Sequence, residues 1–148
     1  MLQRSILLVE DDPDDETIVR RALTGSGVHN EVVVVRDGGE ALDYLFALGD
    51  WKHRDISDQP VLVLLDISLP NISGFEVLRQ IRADPATRLL SVVMLTASQR
   101  QSDVLAGYDA GADGYVVKPN DVGTFVEVTR GLGNYWVRIN EPPPSLSS

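Results

Sequence analysis

Four apolar segments of this sequence end directly in side chains that can do chemistry. They are followed by Glu10 and Asp11, by Asp66, by Thr96 and by Lys118. If these segments are neighbouring strands of a parallel sheet, their carboxyl ends meet at one edge and the side chains converge on one crevice. Carboxylates so close together need a counter-charge, which a divalent cation with oxygen ligands, such as Mg²⁺, supplies. An acid cluster, a lysine and a hydroxyl around a metal ion are groups suited to phosphoryl transfer.

Each of these residues also has a purely structural interpretation. Asp11 and Asp12 could be helix caps with no further role, and Asp66 could be a turn residue before a loop that contains Pro and Gly. Lys118 by itself is most often a solvated charge, and Thr96 by itself is a hydroxyl at a strand end. The joint pattern is much less expected by chance than any single residue, so it favours a site.

The elements that must position these side chains alternate between apolar runs and helical patterns. Strands are predicted at 6–9, 32–35, 61–65, 91–95 and 114–117. Helices are predicted at about 13–26, at about 101–110 and from about 121 onwards, and two more helices contain the apolar residues of 41–46 and 77–81. Strands that are apolar throughout, each followed by a helix, indicate a parallel sheet that is covered on both faces. The sequence therefore predicts an α/β domain with a doubly wound five-stranded sheet.

The composition is that of an ordinary globular domain, and it restricts the partners. Thirteen basic residues against 22 acidic ones give a net charge of −9 in the 148-residue chain. This charge repels nucleic acid and anionic membranes, so neither is expected as a partner. The sequence has no cysteine, which excludes disulfides and thiol chemistry. The first apolar run is too short for a signal peptide or a membrane span, and a cytoplasmic protein is expected.

The motifs at the strand ends resemble those of the receiver domain of two-component response regulators. The matching segments are ILLVEDD at 6–12, LLDISLP at 64–70, VMLTAS at 93–98 and YVVKP at 115–119. The spacings between Asp66, Thr96 and Lys118 are also similar to those of the family, and the resemblance covers roughly residues 4–134. It implies a CheY-like (flavodoxin-like) fold with strand order 2-1-3-4-5.

The resemblance also implies a phosphorylation site and its metal ion. Asp66 is the expected phosphoacceptor, which attacks a phosphohistidine on a sensor histidine kinase or a small phosphodonor. Asp11 and Asp66 are expected to ligate Mg²⁺ together with the backbone carbonyl of Ser68. Glu10 is expected to help through a metal-bound water, and its presence where many relatives have Asp should leave metal binding intact.

Three further residues receive roles from the same resemblance. Lys118 is expected to pair with the phosphoryl oxygens, and Thr96 to hydrogen-bond the aspartyl phosphate. Tyr115 is expected to be the aromatic switch that turns inward behind Thr96. The peptide bond between Lys118 and Pro119 is expected to be cis, as in relatives.

Two features point to a narrower subgroup. The predicted loop 49–59, which carries Trp51, is longer than in the smallest receivers, and the chain shares the ending Asn134-Tyr135-Trp136. Both are similar to small stand-alone regulators that are paired with bacterial phytochrome-type kinases. The resemblance therefore implies a phytochrome-type sensor histidine kinase as the partner.

Three alternative functions compete with phosphorylation. A haloacid-dehalogenase-type phosphatase needs a second acid two residues after its nucleophile, where this chain has Ser68. A flavodoxin-like cofactor binder would need a Gly-rich phosphate loop after the first strand, which the sequence lacks. A degenerate receiver that is only an unphosphorylated interaction module stays open, although the presence of the expected acids, Thr96 and Lys118 is unfavourable to it.

Residues 4–140 are predicted to form one receiver domain with an extended C-terminal helix, and 141–148 a disordered Pro/Ser-rich tail. This leaves no room for a DNA-binding or enzymatic output domain. The signal is therefore expected to leave by protein–protein contact or by onward phosphotransfer. The chain is expected not to be an enzyme, apart from catalysing its own Mg²⁺-dependent phosphorylation and dephosphorylation.

The last helix carries an apolar stripe at helical spacing. Its members are Val122, Phe125, Thr129, Leu132, Trp136 and Ile139. The part from 122 to 132 is expected to be core.

The end of this helix predicts a homodimer. Tyr135, Trp136 and Ile139 fall near or past the expected helix end, and large aromatic residues outside a core are enriched at interfaces. The glycines at 131 and 133 are expected to let the end bend away from the domain. The loop with Trp51 is a candidate for docking on the same surface.

Overall fold

A computed structural model of the chain describes residues 4–144 as alternating strands and helices. The strands are β1 (Ile6–Val9), β2 (Val32–Val35), β3 (Leu62–Leu65), β4 (Val92–Thr96) and β5 (Gly114–Val117). The helices are α1 (Pro13–Gly25), α2 (Gly38–Phe46), α3 (Gly74–Ala83), α4 (Gln101–Asp109) and α5 (Val122–Gly133). A 3₁₀ turn at Gly49–Trp51 follows α2, and a π-helical turn at Asn134–Ile139 continues α5. All neighbouring strands are parallel, in the order β2-β1-β3-β4-β5, so the predicted fold class is confirmed.

Helices cover both faces of the sheet. The side chains of β1, β3 and β4 are buried throughout, which explains why these strands are continuous apolar runs. On one face Leu23 of α1 and Phe125 of α5 pack against the sheet. On the other face Leu42 of α2 and Val77 of α3 do so. We call these two sides the α1/α5 face and the α2/α3 face.

The register of the strands brings their carboxyl ends to one edge. Val9 of β1 is level with Leu65 of β3, so the residues that follow them, Glu10 and Asp66, begin at the same height. Thr96 at the end of β4 is level with Val117, and the backbone N–H of Lys118 donates to the Thr96 carbonyl at 2.8 Å. The strand order reverses beside β1, where ligands bind in open sheets of this kind.

Aspartates cap α1 and α5, two of the helices that begin at this edge. The Asp12 side chain accepts hydrogen bonds from the backbone N–H groups of Asp14 at 2.8 Å and Asp15 at 3.3 Å, as an N-cap residue does. Because Asp12 is used as the cap, the neighbouring Asp11 is left to the site. The cap of α5 is Asp121, which accepts from the Thr124 N–H at 2.8 Å.

The end of the last helix stays on the domain, so the expectation that it bends away is wrong. Trp136 is partly buried against the α1/α5 face. Gly133 lies so close to α1 that a Cβ there would come within 2.8 Å of the Leu23 side chain. The Arg138 guanidinium donates to the Ser26 carbonyl at 3.2 Å. The glycine thus serves close packing of two helices, and not bending.

The other end of the stripe also differs from the prediction. Val122 was expected to be core, but 59% of its surface is exposed. It is the first residue of α5, and the chain reaches it from an exposed connection at 120–121. Phe125, Thr129 and Leu132 are buried as expected.

The loop with Trp51 lies on the α2/α3 face, so it does not take up the candidate position beside Trp136. The Trp51 ring packs edge-on against Tyr44 of α2, with ring centroids 4.9 Å apart. The Arg54 guanidinium lies 3.7 Å from the centroid of the same Tyr44 ring. These contacts fold the long loop back onto α2, on the side of the sheet opposite to Trp136.

The tail begins against the opposite edge of the sheet. The Arg4 side chain donates to the carbonyl of Pro143 at 3.2 Å. Residues 145–148 lie outside the described part, and the domain limits and the disorder of 141–148 stay predictions. None of the helices within residues 4–144 is long and apolar enough to cross a membrane.

Candidate functional site

The three predicted carboxylates meet at the carboxyl edge of the sheet. Glu10, Asp11 and Asp66 each offer an oxygen, and these oxygens all lie within 4.8 Å of one another. Glu10 and Asp66 are buried, with 1% and 6% of their surface exposed, whereas Asp11 is open to solvent. Clustered hard oxygen ligands with one open side fit a small divalent cation that keeps some of its waters.

The Lys118 ammonium lies among these acids. Its Nζ atom is 2.6 Å from Glu10 Oε1, 2.8 Å from Asp66 Oδ2 and 2.8 Å from Asp15 Oδ2. Burial by itself lowers the pKa of Lys118, but the hydrogen bonds to Asp15, Asp66 and Glu10 outweigh it and hold the pKa above its ordinary value. The lysine is therefore a fixed positive charge in the crevice.

One lysine does not balance the acids around it. Burial is the main cause that raises the pKa of the Glu10 carboxyl, to about 7. The hydrogen bond from Lys118 acts against this rise, and the negative charge of Asp66 adds to it. Carboxylates that crowd a buried site ionise fully only with more positive charge. The electrostatics thus agree with the ligand chemistry, since both favour a cation beside the lysine.

Asp15 is a site residue that the sequence reasoning missed. It belongs to the first turn of α1, where acidic residues are common because they suit the helix N-terminus. Its position about one helical turn after Glu10 and Asp11, the acids that follow β1, is the sequence feature that could have identified it. A cleft beside it is lined by Asp12, Asp14, Asp15, Lys118 and Asn120, among others.

A tight loop after β3 holds the Asp66 backbone. Gly74 approaches so closely that a Cβ there would lie 2.1 Å from the Asp66 carbonyl oxygen. The N–H of Ser68 donates to Asp66 Oδ1 at 3.2 Å. One oxygen of the Asp66 carboxylate therefore accepts a hydrogen bond from the loop backbone, and the other accepts one from Lys118. The role of the Ser68 carbonyl as a metal ligand stays a prediction.

Thr96 and Tyr115 lie on neighbouring strands at the same edge. Thr96 is buried at the end of β4, and the Tyr115 ring packs against the α2/α3 face beside Gly107. The Tyr115 hydroxyl donates to the Ser98 carbonyl, in the loop just after Thr96, at 2.8 Å. The Ser98 hydroxyl in turn donates to Asp103 at 2.5 Å. The switch roles of Thr96 and Tyr115 stay predictions.

The expected cis bond before Pro119 is wrong for this structure. Residues 4–144 contain no cis peptide bond. The trans form is the favoured one for a prolyl bond. Lys118 is held by its own hydrogen bonds, from its backbone N–H to Thr96 and from its ammonium to the acids.

Comparison with known proteins points to one family. The family described as "Response regulator receiver domain" matches residues 6–130. The chain is 33% identical to the response regulator Rcp1 of Synechocystis sp. over 132 residues, which cover 89% of this chain and 88% of that protein. The Mn(2+)-bound form of Rcp1 has a TM-score of 0.89 to this chain at 31% identity, covering 96% of this chain and 100% of that one.

Two other solved structures are also similar. The phosphorylated cyanobacterial phytochrome response regulator RcpA has a TM-score of 0.89 at 34% identity, covering 96% of this chain and 99% of that one. The bacteriophytochrome response regulator RtBRR has a TM-score of 0.76 at 48% identity, covering 97% of this chain and 86% of that one. The family match spans most of the sequence, and these relatives align over most of both chains. This chain therefore belongs to the receiver-domain family of two-component response regulators.

Proposed function

We propose that Asp66 accepts a phosphoryl group from a sensor histidine kinase. The observation that carries this proposal is the position of the Asp66 carboxylate, beside two other acids and 2.8 Å from the Lys118 ammonium. An Asp66 oxygen attacks the phosphorus, and the P–N bond to the kinase histidine breaks. The histidine nitrogen leaves with the bonding electron pair and takes up a proton.

Charge neutralisation and positioning are the protein's contribution to this step. Lys118 pairs with a phosphoryl oxygen, which stabilises charge that develops during transfer. Thr96, at the end of β4, donates its hydroxyl to the aspartyl phosphate, and Tyr115 follows it inward. The same groups catalyse hydrolysis of the aspartyl phosphate, so the protein acts only on its own phosphorylated side chain.

Mg²⁺ is the proposed cofactor. Asp11, Asp66 and the Ser68 carbonyl bind it, and Glu10 acts through a water molecule. When bound, Mg²⁺ supplies positive charge for the phosphoryl oxygens. The closeness of the carboxylate oxygens supports this ligand set, and the similarity to the Mn(2+)-bound form of Rcp1 supports a divalent ion.

The proposed kinase is of the phytochrome type, and the signal leaves by protein–protein contact. The similarity to phytochrome and bacteriophytochrome response regulators over nearly the whole chain supports this partner. The downstream contact depends on the phosphorylation of Asp66. A cytoplasmic location stays a prediction from the sequence.

The proposed assembly is a homodimer through the C-terminal π-helical turn. Tyr135 and Ile139 are one helical turn apart and expose 48% and 63% of their surface. The Tyr135 ring packs edge-on against Trp136, with centroids 5.2 Å apart, so Trp136 supports the exposed ring from the domain side. Exposed aromatic and aliphatic side chains on a firm base suit an interface.

The test of phosphorylation uses the full chain with Mg²⁺ and acetyl phosphate, followed by intact-mass measurement. We expect a gain of one phosphoryl group in the wild type and none in Asp66→Asn. A second variant, Asp109→Asn, is the control, because Asp109 is an exposed residue at the end of α4 and is not one of the clustered acids. Labelling of Asp66→Asn would refute the assignment, and an unlabelled wild type would leave the unphosphorylated interaction module as the function.

A further inference from the structure

The contacts of Lys118 exceed what the proposed phosphorylation needs. An ammonium has three N–H bonds, and here Glu10, Asp66 and Asp15 take one each. Glu10 and Asp66 stand at strand ends and form part of the acid cluster. Asp15 comes from α1 and adds a further carboxylate that holds no place in that cluster.

Phosphorylation changes the demand on this lysine. Once Asp66 carries a phosphoryl group, Lys118 must give an N–H to a phosphoryl oxygen, yet all its donors are already in use. Phosphorylated Asp66 can give up its own share of the ammonium, which frees one N–H. The phosphoryl group has three terminal oxygens, and a second N–H reaches them only if Glu10 or Asp15 also loses its share.

Burial decides which of these two carboxylates can lose its hydrogen bond from Lys118. The Glu10 side chain is only 2% exposed, so without the ammonium its Oε1 would lose a charged hydrogen bond with no water to replace it. The Asp15 side chain is 24% exposed and lines the open cleft, where water can take the place of the lysine. Of these two, release of Asp15 costs less.

We propose, on the basis of the function above, that Asp15 is a positioning residue that holds the Lys118 ammonium in the unphosphorylated protein and competes with the phosphoryl group for it. In the unphosphorylated protein Asp15 accepts the third hydrogen bond of the Lys118 ammonium, from the side of the cleft. During phosphoryl transfer it is the partner that Lys118 leaves. Its negative charge beside the cleft also repels the anionic phosphodonor.

Removal of this competition should favour the phosphorylated state. We expect Asp15→Asn to accelerate phosphorylation by acetyl phosphate about three- to tenfold at saturating Mg²⁺, the range that a partly exposed charged hydrogen bond supports. The phosphoryl analogue beryllofluoride should bind the same variant more tightly by a similar factor. The second measurement is an equilibrium and does not depend on catalysis.

Asp14→Asn is the matched control. It removes the same charge from the same turn of α1, but the Asp14 side chain makes no hydrogen bond or ion pair within residues 4–144. We expect Asp14→Asn to stay within about twofold of the wild type in both measurements, which is the share of general charge repulsion. Asp15→Glu keeps the charge and should also stay near the wild type. Asp15→Ala serves as a second neutral variant, and thermal unfolding checks that each variant folds.

The outcomes separate the two proposals. If the wild type is labelled but Asp15→Asn and Asp15→Ala match Asp14→Asn, or are slower, the competing role of Asp15 is refuted. An Asp15→Glu variant as fast as Asp15→Asn would refute it too, because the charge would then not be the cause. If the wild type neither gains a phosphoryl group nor binds beryllofluoride, the proposed function itself fails.

Discussion

At the scale of single residues, adjacent aspartates after β1 have different tasks. Asp12 turns back to cap α1 through the backbone N–H groups of Asp14 and Asp15. Asp11 instead contributes an oxygen to the cluster with Glu10 and Asp66. The two side chains have the same chemistry, and the start of the helix decides which of them faces the site.

This division predicts different effects of the same change at the two positions. Asp11→Asn removes a hard anionic ligand, so we expect Mg²⁺ affinity to fall by at least about tenfold, as measured by calorimetry. The same change relieves carboxylate repulsion, so the unfolding temperature without Mg²⁺ should rise.

Asp12→Asn is the control for that experiment. Asparagine caps helices about as well as aspartate, so Mg²⁺ affinity and stability should both stay close to the wild type. Loss of Mg²⁺ binding in Asp12→Asn with an unchanged Asp11→Asn would mean that the ligand is Asp12.

At the scale of elements, α5 depends on a cap at its start and on close packing at its end. The hydrogen bonds from the Thr124 N–H and hydroxyl to Asp121 hold the pKa of that carboxyl below its ordinary range. A lowered pKa means that the stabilisation is present above the pKa of the unfolded chain, near 3.8, and is lost as the pH falls through the folded value.

The cap therefore predicts a pH-dependent effect. Asp121→Ala should be less stable than the wild type at pH 7, and the difference should shrink as the pH falls below about 4. Urea unfolding at several pH values between about 7 and 2.5 measures it. A difference that is constant over this range would show that the charge of Asp121 takes no part in the cap.

Two glycines near the end of α5 separate packing from helix propensity. A Cβ at Gly133 would meet Leu23 of α1 at 2.8 Å, whereas one at Gly131 would have nothing within 4 Å. We expect Gly133→Ala to lower the free energy of unfolding by about 1–3 kcal/mol through overpacking. Gly131→Ala should raise it by up to about 1 kcal/mol, because alanine is the better helix former.

Urea unfolding of both variants decides between the two explanations of these glycines. If both substitutions stabilise the protein, α5 is not closely packed on α1 at Gly133. That result would favour the explanation from helix propensity alone, in which both glycines loosen the helix end.

At the scale of the whole molecule, the two faces of the sheet have different neighbours. The long loop closes over the α2/α3 face through Trp51, and the π-helical turn closes over the α1/α5 face through Trp136. The two tryptophans, which were candidates for one shared surface, therefore lie on opposite sides. Only Tyr135 and Ile139 of the three predicted interface residues are left largely exposed at the proposed dimer surface.

The dimer is tested by making this surface polar without cutting the chain. Tyr135→Glu with Ile139→Glu should give a monomer in light scattering at tens of micromolar, where we expect the wild type to be a dimer. Leu105→Glu is the control, since Leu105 is 68% exposed but lies in α4. A monomeric wild type, with or without acetyl phosphate, or a dimer that survives both charges, would refute this interface.

The sequence by itself determined the sheet and most of the acid site. Apolar runs are local signals, and the carboxyl ends of parallel strands must share an edge, so Glu10, Asp11, Asp66, Thr96 and Lys118 could be brought together without coordinates. The predicted ends of the strands and of α1 and α4 were correct to within one residue, because caps and breakers such as Asp12 and Pro13 act on their immediate neighbours. For α2 and α3 only the inward residues were predicted.

Only the tertiary structure decided which side chains meet across elements that are distant in sequence. The contact of Asp15 with Lys118, the side of the sheet that Trp51 covers, and the path of the chain after Gly133 all depend on how helices sit against one another. An acid in a first helical turn, an aromatic residue in a loop and a glycine near a helix end each suit several surroundings equally well. Helix packing chooses among them, because the free energy of burial is set by neighbours that come from other parts of the chain.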